Sequence, residues 1–169
     1  MPRDLKLLAV VSAIGFCGSI TDMNAQQPGV ASQAQAKPRV EVSLRVGGQS
    51  YQFSGPGRCT YAPTASIYQT PSEMWSAQQA SDDRSLAFSV WKPKDGTGEM
   101  VSLSVAKGNT SADVSTIRGG GPTSGSGKVT FKKSGAGGRF ILDLKTNTGA
   151  TITGTIECAA FAQHAAAGG

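Results

Sequence analysis

A glycine-rich string, Gly121-Pro122-Thr123-Ser124-Gly125-Ser126-Gly127-Lys128, has the composition of a phosphate-binding loop, in which backbone amides cradle phosphates and the lysine reaches the terminal ones. The spacing argues against it. Five residues rather than four separate Gly121 from Gly127, Val129 stands where a Mg²⁺-binding Ser or Thr belongs, and the strand-like Val129-Thr130-Phe131 follows instead of a helix. The string therefore reads as a flexible loop, and no nucleotide or other cofactor is expected. His164 is the one histidine and sits in an Ala/Gly-rich tail, so Ser–His catalysis and histidine-rich metal sites have no members in the body of the chain. Carboxylates remain: Glu73, Asp82, Asp83, Asp95, Glu99, Asp113, Asp143 and Glu157. An acid–base dyad would need two of them brought together in space, which their spacing does not specify. Asp82-Asp83-Arg84 reads as a polar turn before a strand and Asp95-Gly96 as hairpin-turn chemistry. The expectation is a non-enzymatic binding module without a metal, with two alternatives: a small carboxylate-dependent hydrolase acting on envelope glycan, and a secreted inhibitor that plugs an enzyme with a Gly-rich loop.

Aromatic side chains are the next candidates, because a ring facing solvent from a β-strand can stack on a sugar or on a partner's side chain. Trp91 has the opposite parity to Phe88 and Val90, so it points away from the main core, and the hairpin register sets it opposite Met100. Trp91 and Met100 form a candidate binding patch, with Trp75 either part of it or covering it from the segment Pro71–Ser81. That segment reads as a short helix or as an irregular edge strand, and strand and loop are favoured. Tyr61 and Tyr68 read as loop anchors. The basic hairpin face of Lys128, Lys132, Arg139 and Lys145 could meet an anionic envelope polymer. No aromatic residues interleave with it, as nucleic-acid binding usually demands, so no nucleic acid is expected and the face reads as a solvated guard against edge pairing.

These residues need elements to hold them, and the chain supplies strands. Val40, Val42, Leu44 and Val46 alternate with Arg39, Glu41, Ser43 and Arg45, which is the period of a half-buried strand. With Gly47-Gly48 as a two-residue turn, Val46 faces Gln49, Leu44 faces Tyr51 and Val42 faces Phe53. Around the Pro93–Gly98 turn, Val90 faces Val101, Phe88 faces Leu103, Leu86 faces Val105 and Lys92 faces Glu99. Around Gly135-Ala136-Gly137-Gly138, Val129 faces Leu144 and Phe131 faces Leu142. In the last hairpin Leu144 faces Ile152, Leu142 faces Gly154, Phe140 faces Ile156 and Arg139 faces Glu157. Matching apolar faces with no helical stripe predict an all-β domain: an antiparallel sandwich or partly open barrel of about 8 strands with one disulfide.

Cys59 and Cys158 are the pair expected to make that disulfide, since Cys158 shares the inward parity of Ile152 and Ile156. The closed loop of about 100 residues would contribute roughly 4–5 kcal/mol in the chain-entropy view. The third cysteine, Cys17, lies in an apolar run from Leu7 to Phe16, behind Arg3 and Lys6. Residues 1–25 read as a secretory signal peptide cleaved near Ala25, because the run is too short to span a bilayer. The rival is a lipoprotein signal acylated on Cys17, against which Phe16 stands where a small residue belongs. Residues 26–38 read as a flexible linker, 39–161 as the domain and 162–169 as a disordered tail. A length of 169 residues fits one domain, and the net charge of +5 is retained after cleavage. The expected location is secreted or periplasmic, without an integral membrane segment, and the expected partner is a protein or an anionic envelope polymer.

The order of export signal, Ala/Gln/Pro-rich tether, Gly-rich β domain, one cysteine early and one in the last strand (Ile152-Thr153-Gly154-Thr155-Ile156-Glu157-Cys158) resembles the small mycobacterial surface lipoprotein antigens. The resemblance covers residues 39–158 in pattern. It implies a non-enzymatic envelope protein engaged in surface interactions and transfers no catalytic residue.

Overall fold

A computed structural model describes residues 39–118 and 123–164. The expected signal peptide and linker, Cys17 and Gly121-Pro122 of the glycine-rich string lie outside the described residues. The rest is built from eleven strands and no helix: β1 (Arg39–Val46), β2 (Gln49–Pro56), β3 (Arg58–Ile67), β4 (Thr70–Ser81), β5 (Arg84–Pro93), β6 (Met100–Lys107), β7 (Thr110–Ser115), β8 (Gly125–Ser134), β9 (Gly137–Thr146), β10 (Thr151–Cys158) and β11 (Ala162–Gln163). They form a five-stranded sheet, β2-β1-β10-β9-β8, and a six-stranded sheet, β11-β3-β4-β5-β6-β7, packed as a sandwich. Eleven strands replace the expected eight or so because the ambiguous stretches also pair. Pro71–Ser81 belongs to β4, an interior strand between β3 and β5, and Gly125–Lys128, expected as loop, opens β8.

Three of the four hairpin registers hold as read. β1 and β2 pair Val46–Gln49, Leu44–Tyr51 and Val42–Phe53. β5 and β6 pair Val90–Val101, Phe88–Leu103 and Leu86–Val105, and β9 and β10 pair Leu144–Ile152, Leu142–Gly154 and Phe140–Ile156. The β5–β6 ladder stops at Trp91–Met100, so Lys92 is not set opposite Glu99 but faces Glu73 of β4. The β8–β9 register differs by two residues. Val129 faces Leu142 and Phe131 faces Phe140, because the turn is only Gly135-Ala136 and Gly137 and Gly138 already belong to β9. A shift of two keeps each side chain on its face, so the core set survives the change of partners.

The core lies between the sheets. Val40, Leu142, Leu144, Ile152 and Ile156 from one sheet meet Phe88, Val101, Leu103 and Val105 from the other, all nearly inaccessible, and Phe88 and Phe140 meet with ring centroids 4.9 Å apart. Each such side chain contributes about 1.5–3 kcal/mol by leaving water. The Cys59–Cys158 disulfide is present, with Cα atoms 6.1 Å apart and both cysteines buried, and ties β3 in one sheet to β10 in the other. Outside the core the six-stranded sheet carries small polar groups. Thr60, Ser76, Ser89, Ser102 and Ser115 form one rung across β3 to β7, with 2.7 Å between the Thr60 and Ser76 hydroxyls. The domain also runs past residue 161: β11 pairs in parallel with Thr60–Tyr61, and the His164 amide donates to the Tyr61 carbonyl at 3.0 Å.

Candidate functional site

Trp75 is where the structure departs furthest from the sequence reading. The β4–β5 register pairs it with Val90 and pairs its neighbour Met74 with Trp91. Trp75 and Trp91 therefore occupy opposite faces of one sheet, and Trp75 neither joins nor covers the Trp91 patch. Trp91 does face outward opposite Met100, but the pair is not an open patch: Met100 is only 9% exposed and Trp91 is half-buried beside it. Tyr68, by contrast, is 55% exposed on the β3–β4 turn, where it and Gln69 both take positive φ.

On the inner face, at one end of the sandwich, the rings gather. Tyr61 of β3 stacks on Trp75 of β4 with centroids 4.9 Å apart, and Trp75 reaches across to Phe131 of β8 at 5.5 Å. Phe131 continues to Phe140 at 4.9 Å and meets Phe161 edge-on at 5.8 Å. The strands make this cluster necessary. Trp75 has the parity of Ala77, Phe131 that of Val129, and the two sheets bring both inward faces to the same edge of the core. Phe161 arrives from the segment after β10, held by its amide donating to the Ala136 carbonyl at 2.9 Å.

Tyr61, Trp75, Phe131 and Phe161 are each half-buried, and with Lys133, Gln163 and the Gly135–Gly137 hairpin tip they line a cleft of about 330 Å³. That is the low end of the range for small-molecule sites. Burial, followed by the negative charge of Glu73 and a hydrogen bond to it, pushes the Tyr61 phenol above its ordinary value of 10.0.

A second depression, of about 410 Å³, lies on the outer face of the five-stranded sheet and shares Lys133 with the first. It holds Arg39, Glu41, Lys132, Arg139 and Glu157. Glu41, which the sequence reading passed over, stands directly opposite Glu157 across β1 and β10. Each is matched by a neighbouring guanidinium: Arg39 to Glu41 at 3.4 Å and, as expected from the register, Arg139 to Glu157 at 2.9 Å. All four side chains are well exposed, so the pair is an ion-paired rung in water, without the dry surroundings that separate an acid from a base. Lys132 and Lys133 form no ion pair among the described residues. Asp95 caps its own turn, accepting from the Thr97 amide at 2.9 Å, which holds its carboxyl below the ordinary range. Among the described residues no three His, Cys, Asp or Glu side chains cluster as a metal site, and no helix is long and apolar enough to cross a membrane.

Sequence reasoning missed the cleft because its four rings stand far apart in the chain. The signal available was the inward parity of Tyr61 and Trp75 once β3 and β4 were recognised as strands. The chain matches no known family, no characterised protein and no solved structure. The resemblance to mycobacterial surface antigens thus rests on layout.

Proposed function

We propose that this protein is an exported, non-catalytic β module that holds a partner or surface polymer in the aromatic cleft. The observation that carries the reading is the set of four half-buried rings around an open cleft with Lys133 and Gln163 at its rim. Apolar rings left partly in water at the mouth of an otherwise well-packed sandwich are the usual mark of a binding surface. Export draws support from the buried Cys59–Cys158 bridge, since structural disulfides form and persist in oxidising compartments. The layout it shares with envelope antigens points the same way.

The test uses the fact that the chain has 2 tryptophans. In a Trp91→Phe background Trp75 is the sole tryptophan, and its fluorescence reports on the cleft. Titration with soluble fragments of cell-wall polysaccharide is expected to shift or quench that emission. Tyr61→Ala, at the rim, is expected to weaken the response about tenfold, the size of a lost base- or ring-stacking contact. An emission that stays unchanged with every fragment, or a response that survives Tyr61→Ala at full strength, rejects the cleft as the site.

A further inference from the structure

Resting on the cleft reading above, we infer that the ligand is an acidic glycan, a sugar chain carrying carboxylates at intervals, laid on the aromatic cleft and continued around the β8–β9 hairpin onto the outer depression. Three features point to this class. The rings of Trp75, Phe131 and Phe161 offer apolar surface of the kind that stacks on the C–H face of a sugar. Gln163 and the Tyr61 phenol line the same cleft and put an amide and a hydroxyl beside them, a set that both donates to and accepts from sugar hydroxyls.

The cations decide the charge. Lys133 lines both depressions, and Lys132, next to it in β8, lines the outer one. Arg39 and Arg139 in the same depression are already matched by Glu41 and Glu157. What remains for a ligand is therefore two ammonium groups, one on each side of the hairpin. Such sparse positive charge suits a polymer with an occasional carboxylate. A nucleic acid, with a phosphate on every unit, would find only two ammonium groups not already matched by a carboxylate, too few to follow a run of phosphates.

The probes are an oligogalacturonate and the same oligomer after carboxyl reduction, read by Trp75 fluorescence in the Trp91→Phe background. The acidic oligomer is expected to bind about tenfold more tightly, as befits one charge-assisted contact. Lys133→Gln is expected to abolish most of that preference, bringing the acidic oligomer's affinity down to near that of the neutral one, and added salt should weaken the acidic oligomer more than the neutral one. Lys133 is exposed on β8, so the variant is expected to fold. Equal binding of the two oligomers, or a preference untouched by Lys133→Gln, overturns the acidic class while leaving the cleft as a glycan site. Tighter binding of an oligonucleotide or of polyglutamate overturns the glycan class. If no probe perturbs Trp75, the cleft reading fails with it.

Discussion

Tyr61 shows how one side chain links stability, pH and the site. Its phenol is held above the ordinary value of 10.0 by burial and by Glu73, whereas in the unfolded chain it ionises near that value. In the window from about 10 up to the folded value, the unfolded state has released a proton that the folded state keeps. Unfolding is therefore favoured as pH rises through that window, and this part of the stability is complete only below it. Tyr61→Phe is expected to flatten the alkaline decline, measured as the unfolding midpoint against pH. Trp91 behaves differently because it is held between Met74 and Met100 on the outer face. Half-buried there, it should cost about 1–2 kcal/mol on truncation to Ala, below the 3–5 kcal/mol of a full core truncation. Denaturant unfolding checks the stability, and unchanged ligand affinity in the cleft is the companion expectation, since the sheet separates Trp91 from Trp75.

Among the strands, β10 shows how close packing can forbid a side chain. It pairs with β1 on one side and β9 on the other, and in its middle Gly154 stands between Leu44 and Leu142 with φ of +133°. A Cβ placed there would lie 2.0 Å from the Ser43 carbonyl oxygen. Any side chain must therefore push β1 away or force β10 into another backbone conformation. Gly154→Ala is expected to cost about 3 kcal/mol or more, combining backbone strain with overpacking. A midpoint within experimental error of the parent in a urea titration would contradict this.

For the molecule as a whole, the disulfide is the longest-range covalent restraint. It joins positions 99 residues apart and couples β3 to β10, so reduction loosens the sandwich rather than one hairpin. Replacing both cysteines by alanine avoids stranding a buried thiol. In denaturant unfolding the Cys59→Ala/Cys158→Ala protein is expected to lose about 4–5 kcal/mol, most of it through the freer unfolded chain. A loss below about 1 kcal/mol would mean that the unfolded state is already compact.

What the chain's own order of residues determined is local: strand parity, tight turns and nearest partners, because period-two patterning and turn residues act over a few positions. Val42 opposite Phe53, Phe88 opposite Leu103 and Arg139 beside Glu157 follow from that alone. Even the slip at β8–β9 was a question of turn length, and it preserved the inward faces. The sandwich decided the rest. Which inward rings meet depends on how two sheets stack and on which edges come together, and no periodicity encodes that. Trp75 is separated by ten or more positions from each of its aromatic neighbours Tyr61 and Phe131, and only the β4–β5 ladder, which sets Met74 and not Trp75 opposite Trp91, fixes the face it occupies. The cleft exists because side chains from β3, β4 and β8 and from the segment after β10 converge where the two inward faces meet, a property of packing in three dimensions.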